Sequence, residues 1–216
     1  MFKLFRKLEH GEKIIIGADP ADGGTNYCAA QCYSTRHRDV PLVFHARMEA
    51  TQFGHELYKL AIYIHEMTGE WPLIAVEKNT GSATLYVLQT YNYTHLFRMP
   101  KDINDPKKKN EETDTLGWVT NKTTRISILD GLSLTIRQRA IKIYDAQTVR
   151  ELMTFVLGYT GKPQAAYGCF DDLVLSLAIA LKVAEISPKA KTINREAMAA
   201  RAAMFPKDDV AAIQEM

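Results

Sequence analysis

The sequence predicts an α/β fold built on one mixed sheet, an antiparallel meander joined to parallel strands and flanked by helices. Three observations lead there. The run "IIIGA" at residues 14–18 is continuously apolar, the mark of a central strand buried on both faces. Two further strand-like runs, residues 27–33 and 42–48, flank the charged turn "STRHRD" and read as a meander. Between residues 51 and 100 a helical period, a short apolar run, a second helix and a third apolar run follow one another, which implies a parallel crossover.

Taken in order, the first strand opens into the turn-rich loop "DPADGGTN". In the helix at residues 51–68, Phe53, Leu57, Leu60, Ala61, Ile64 and Met67 recur at helical spacing, and Gly69 ends it. "LIAVE" is a short buried strand, residues 82–89 a helix, and "HLFRMP" a strand. Residues 101–117 are polar and aperiodic, which predicts a long mobile loop. Ile126, Leu129, Leu132 and Ile136 form a helix stripe, with Thr120, Asn121 or Thr123 as its cap. "AIKIYD" reads as a strand, residues 146–154 as a short helix, and "FVLGYTGKPQAAYG" as a hairpin turning at Gly161, Lys162 and Pro163. "DDLVLSLAIALKVAE" is apolar nearly all round and predicts a buried helix. The expected organisation is one domain over residues 1–186 and a tail over 187–216, helical around residues 194–205 or disordered.

Composition narrows the function classes. Hydrophobic residues make up 46% and charged residues 24%, as in a globular domain, and no apolar run approaches the ~18 residues that span a bilayer. No membrane partner is expected. The start "MFKLFRKLEHGEK" is broken by Glu9 and Glu12 before an apolar stretch forms, so it is no secretory signal. Cys28 and Cys32 lie four apart in one strand, too far to bridge, and Cys169 makes the count three, which points to a reducing cytosolic setting. With 27 basic against 25 acidic residues the net charge is +2, so any polyanion must be met by a local patch. Lys101, Lys107, Lys108, Lys109, Lys122 and Arg125 offer one, although Asp102, Asp105, Glu111, Glu112 and Asp114 nearly cancel it. On charge alone a solvated loop is the simpler reading.

Four acids stand at element ends rather than on solvated faces. Asp19 follows the isoleucine strand, Glu77 follows "LIAV", and Asp171 with Asp172 opens the buried helix. Each alone has a structural reading, an Asp before Pro ending a strand or an Asp capping a helix. Capping accounts for one of Asp171 and Asp172, not for a second carboxylate beside it at the mouth of an apolar element. If the two buried strands are parallel neighbours, Asp19 and Glu77 emerge side by side at their carboxyl ends, where open α/β sheets place ligands. Such a group requires a cation. Carboxylate-only ligation suits hard ions, Mg²⁺ or Mn²⁺, and two such ions ~3.5–4 Å apart perform phosphodiester hydrolysis. His55 and His65 lie ten apart on their helix and do not share a ligating turn.

Asp19 in "IIIGADPADGG", Glu77 in "IAVEKNTG", the stretch "GWVTNKTTR" and "GCFDDLVLSLAIA", in this order, resemble the carboxyl-terminal nuclease domain of the large terminase subunit of tailed bacteriophages. The resemblance spans residues 13–185. It implies a ribonuclease H-like fold and a two-metal endonuclease that cuts concatemeric viral DNA during genome packaging. By the same resemblance Asp19 is the aspartate bridging both ions, Glu77 the ligand after the fourth strand, and Asp171 and Asp172 the paired aspartates before the last helix. Implied partners are double-stranded DNA, a packaging ATPase domain preceding the nuclease, the portal and the small terminase subunit, with action in the host cytoplasm and transiently at the procapsid portal.

The chain departs from that pattern in two ways. Phe170 stands where the family often has a histidine before the aspartate pair. The phosphate loop G-x-x-x-x-G-K-[ST] of the packaging ATPase is absent, the nearest stretch being residues 158–162, so an excised nuclease domain is expected. Lys122 and Arg125 are candidates to orient the scissile phosphate, and Lys162 on the hairpin, with Lys107, Lys108 and Lys109, to approach DNA. The tail would contact motor, portal or neighbouring subunits. Rival readings are a junction resolvase or transposase-type nuclease of the same fold, and an actin-like phosphotransferase whose phosphate loop would be "ADGGTN". A binding module whose acids are only caps is the non-enzyme alternative.

Overall fold

The computed structural model describes residues 2–21, 27–103, 112–158 and 163–187. In chain order the elements are β1 (Phe2–Leu4), β2 (Ile14–Asp19), β3 (Tyr27–Ser34), β4 (Asp39–Arg47), α1 (Ala50–Thr68), β5 (Leu73–Val76) and α2 (Lys78–Thr90). Then follow β6 (Arg98–Pro100), β7 (Glu112–Leu116), α3 (Lys122–Arg137), β8 (Lys142–Ile143), α4 (Ala146–Met153), β9 (Phe155–Leu157), β10 (Pro163–Ala165) and α5 (Asp172–Ile186). The main sheet runs β1-β4-β3-β2-β5, with β8 paired to β4. Strands β2, β3 and β4 are the expected antiparallel meander, and β5 lies parallel to β2 from Ile15–Leu73 to Ala18–Val76.

Two cores follow from the alternation of side chains along the central strand. Ile14, Ile16 and Ala18 face the cluster built on α1 and α2. Ile15 faces the cluster built on α3 and α5, where Leu173, Val174, Leu177 and Ile179 are buried. Each such aliphatic side chain contributes about 1.5–3 kcal/mol on burial. Helix α5 lies directly on β2 because Gly17 has no side chain: a Cβ there would sit 2.0 Å from the Ser176 carbonyl oxygen. Gly69 ends α1 in the left-handed conformation at φ 74°, its N–H donating to the His65 carbonyl.

Some expectations need correction. Residues 112–116, read as part of a loop, form β7 against β6, with Arg98 opposite Leu116 and Pro100 opposite Glu112. "ETDTL" has no apolar alternation, so nothing in its pattern announces a strand. The crossover through α2 returns to the sheet only at a single parallel bridge, Ile74 to Leu96, before the chain leaves to pair with β7. Strand β1, three residues pairing with β4, is too short to carry a period. The hairpin forms as expected, Phe155–Leu157 against Pro163–Ala165, but its turn residues Gly161 and Lys162 lie outside the described residues. So do loop residues 22–26, Lys107, Lys108 and Lys109, and the tail from residue 188.

Candidate functional site

Asp19 and Glu77 leave the sheet side by side. Ala18 is paired with Val76 across the parallel β2–β5 ladder, and the Glu77 N–H donates to the Ala18 carbonyl at 2.8 Å. Both side chains are nearly closed off from solvent, Asp19 at 8% and Glu77 at 6% exposure. Glu77 also starts α2: its Oε2 accepts from the Thr80 N–H and hydroxyl, each at 3.1 Å. That cap is why α2 begins at Lys78, four residues ahead of the apolar pattern.

The motif "GWVTN" fixes the next wall. Trp118 is wholly buried and pairs beside Glu77, its N–H donating to Val76 and its carbonyl accepting from Lys78, both at 2.7 Å. Gly117 before it takes φ +82°, and a Cβ would meet the Val76 carbonyl at 2.6 Å. Asn121 then caps α3 through the Thr123 and Thr124 amides at 2.9 and 3.0 Å, with Thr124 Oγ1 accepting from the Asn121 N–H. Of the three residues expected to cap this helix, Asn121 does so. Lys122 is the exposed first residue of α3. One turn on, Arg125 reaches across to Asp171, Nη2 to Oδ2 at 2.8 Å.

Neither aspartate of the pair caps α5. Asp171 is at the N-cap position, φ −131° and ψ 9°, and makes no side-chain cap hydrogen bond. The N–H of Leu173 is taken instead by Glu151 Oε2 at 2.9 Å, a buried carboxylate from α4. Reading the pair as one cap plus one spare acid is therefore corrected. Glu151 escaped the sequence reading because it sits within a short polar helix. Its signal is the spacing to Thr148, three residues earlier on the same buried face.

The electrostatics describe a group of acids short of positive charge. Burial pushes the Asp19 carboxyl well above the usual carboxylate range, and Asp172, Glu77 and Asp171 push it further, while Arg125 draws it back. Burial, then Asp171, pushes Asp172 up to about 6. Glu151 is pushed up to about 7, by burial first and also by Asp172 and Asp171. Asp172 Oδ2 is buried without a hydrogen-bond partner. Among the described residues no three His, Cys, Asp or Glu side chains are drawn together as a ready-made metal cage. Asp171 is bonded to Arg125, and Glu77 accepts from Thr80. An orphaned carboxylate oxygen on Asp172, in a group where burial and neighbouring carboxylates disfavour the ionised forms of Asp19 and Asp172, suits a hard divalent cation, and Asp19, Glu77, Asp171 and Asp172 are the candidates to hold one.

The other candidates separate from this centre. His55 Nδ1 bonds Tyr91 Oη at 2.6 Å and His65 stacks on Trp71 at 4.1 Å, so each has a local partner. Phe170 packs edge-on against Tyr27 at 5.2 Å. A cavity of about 390 Å³, lined by Arg38, Gly131, Gln138, Lys182 and Glu185, lies at the far ends of α3 and α5. A second, of about 330 Å³, flanks the start of α3 along Thr113, Thr115 and Asn121. Neither contains any of the four acids.

No protein-family model matches the chain, and no curated protein matches it in sequence. Solved structures do match in fold. The large terminase nuclease from thermophilic phage G20c with bound magnesium superposes with a TM-score of 0.63 at 14% identity, over 83% of this chain and 86% of that one. The large terminase nuclease domain of Thermus phage P74-26 gives 0.62 at 16% identity, over 88% and 90%. A large terminase from a further thermophilic bacteriophage gives 0.55 at 11% identity, covering 84% of this chain but 42% of that longer one. At such identities the likeness is one of fold: the chain has the mixed-sheet fold of large terminase nuclease domains, as the four motifs implied.

Proposed function

We propose that the chain is a metal-dependent DNA endonuclease of the genome-packaging type. One observation carries this reading: Asp19, Glu77, Asp171 and Asp172 gather from the carboxyl ends of two parallel strands and the mouth of a buried helix, with too little positive charge among them. The fold shared with phage terminase nucleases, one of them solved with magnesium, supports it. Bound at these acids, two hard divalent ions would supply hydroxide at neutral pH and neutralise the leaving oxygen of a phosphodiester.

The residues have separable tasks in this reading. Asp19 supplies a carboxylate from the end of a fully buried strand. Glu77 presents its Oε1 while its Oε2 remains engaged in the cap of α2. Asp171 and Asp172 close the group from the side of α5. Arg125, bonded to Asp171, stands where it can turn to a phosphate, and exposed Lys122 adds a backbone contact. Duplex DNA is the substrate, and binding is mainly to phosphates, hence salt-dependent. The chain works with a packaging ATPase domain, the portal and the small terminase subunit, cutting concatemers in the host cytoplasm and at the procapsid portal.

The test is incubation of the protein with supercoiled plasmid in Mn²⁺, Mg²⁺ or EDTA, beside Asp19→Asn. Nicking and linearisation in metal, absent in EDTA and in the variant, is the expected result. Cleavage that survives Asp19→Asn overturns the site, and no cleavage in any metal overturns the nuclease reading.

A further inference from the structure

Helix starts leave backbone N–H groups without partners, and the N-cap residue ordinarily supplies the acceptor. In α5 that residue is Asp171, chemically suited to the task, yet its carboxylate faces Arg125. The acceptor comes from outside the helix: Glu151 on α4, 22 residues earlier in the chain, binds the Leu173 N–H with Oε2 at 2.9 Å.

The same residue is gripped from its other side. Gln31 Nε2, on β3, donates to the Leu173 carbonyl at 3.4 Å and to Thr148 Oγ1 at 2.8 Å. Thr148 is held by Asp145, which accepts from its N–H at 2.8 Å and its hydroxyl at 2.9 Å, and Asp145 pairs with Lys3 at 3.0 Å. A chain of polar contacts thus runs from the edge strand through α4 to the first turn of α5, and neither aspartate of the pair belongs to it. Glu151 is 3% exposed, and its Oε1 is in no hydrogen-bonding geometry, with the Gln147 side chain beside it.

For stability alone this arrangement is a poor choice. Burial, and beside it Asp172 and Asp171, disfavour the charged form of Glu151, whereas an aliphatic residue at position 151 with Asp171 as cap would hold the helix start without that cost. What the arrangement gives in return is a pair of aspartates not committed to the cap of α5, with Asp171 bonded to Arg125 instead. We propose that Glu151 is a positioning residue that caps α5 from α4 and so releases Asp171 and Asp172 to face the carboxylate site. What the released pair does rests on the nuclease reading; the cap itself does not.

Two variants test it. Glu151→Gln keeps an acceptor of the same reach without the charge, and Glu151→Met keeps the volume without an acceptor. Amide hydrogen exchange at Leu173, thermal unfolding, and plasmid cleavage with separate kcat and KM are measured for both. The expected result is that Glu151→Gln folds, protects the Leu173 amide and cleaves within a few-fold of wild type. In Glu151→Met that amide exchanges at least about 10-fold faster, and kcat falls about 10- to 100-fold at unchanged KM for DNA. The proposal is overturned if Leu173 exchange is unaltered in Glu151→Met, or if Glu151→Gln loses kcat as fully as Glu151→Met, which would make the charge rather than the cap the operative feature. Should wild type itself cleave nothing, the nuclease reading fails while the exchange measurement still decides the cap.

Discussion

Arg125 Nη2 and Asp171 Oδ2 lie 2.8 Å apart, both side chains 29% exposed, and join the first turn of α3 to the residue that precedes α5. Ion pairs of this exposure contribute about 1 kcal/mol or less. Here the guanidinium also offsets the charge of a group of acids, since it draws Asp19 back towards its ionised form. Arg125→Gln should therefore lower the melting temperature of metal-free protein by about 2–4 °C, the size expected of about 1 kcal/mol in a chain of this length. Saturating Mn²⁺ should remove most of that difference, because the cation takes over the neutralisation. Melts in EDTA and in Mn²⁺ read this directly, and an equal deficit in both would deny Arg125 the role of counter-charge.

Asp19→Asn separates activity from stability. The substitution keeps volume and removes a charge that burial, Asp172, Glu77 and Asp171 all disfavour. Plasmid cleavage should fall by at least about 100-fold, while the metal-free melting temperature rises. Loss of both activity and stability would mean that Asp19 is a structural acid whose partners are needed for folding.

The raised carboxyls fix the sign of a pH dependence. A carboxyl whose folded pKa lies above its unfolded value binds its proton more tightly in the native state, so its contribution is complete below the unfolded value and is lost as pH rises through the folded one. Asp172 at about 6 and Glu151 at about 7 place that loss between roughly pH 4 and 7, starting from an ordinary carboxyl near 4. Glu12 runs the other way: burial alone would raise it, but the hydrogen bond from Arg6 leaves it lowered, so its contribution is lost as pH falls in the acid range. Metal-free protein should be most stable near about pH 5 and weaken towards neutrality. Added Mn²⁺ should stabilise progressively more from pH 5 to pH 7, because binding needs the carboxylates ionised. Denaturant midpoints across that range, with and without metal, are the measurement.

How far the chain could be read beforehand depended on whether a feature was periodic or relational. The strand at Ile14 to Asp19 and helices α1, α3 and α5 were legible, because long apolar patterns record which face is buried. The four acids were legible because they interrupt those patterns at element ends. Strand β7 was not, since "ETDTL" gains its partner only when β6 folds back upon it. Neither was the role of Glu151, because the amide it satisfies lies 22 residues away and its spacing to Thr148 marks a buried face without naming a partner. Trp118 belongs to the "GWVTN" motif, but its task, extending the β5 edge beside Glu77, exists only in three dimensions.

Glu77 combines two tasks that substitution can divide. Its Oε2 caps α2 through Thr80, while the residue stands next to Asp19 on the parallel ladder. Glu77→Gln leaves an amide oxygen able to accept from Thr80 but removes the charge. Glu77→Ala removes both, leaving an N–H at the helix start without its partner, a loss of about 0.5–2 kcal/mol. Both variants should lose cleavage. Only Glu77→Ala should also unfold at lower denaturant concentration, whereas Glu77→Gln matches or exceeds wild type because the repulsion on Asp19 is relieved. If Glu77→Gln cleaved at the wild-type rate, the carboxylate would be a cap and nothing more, and the metal centre would rest on the three aspartates.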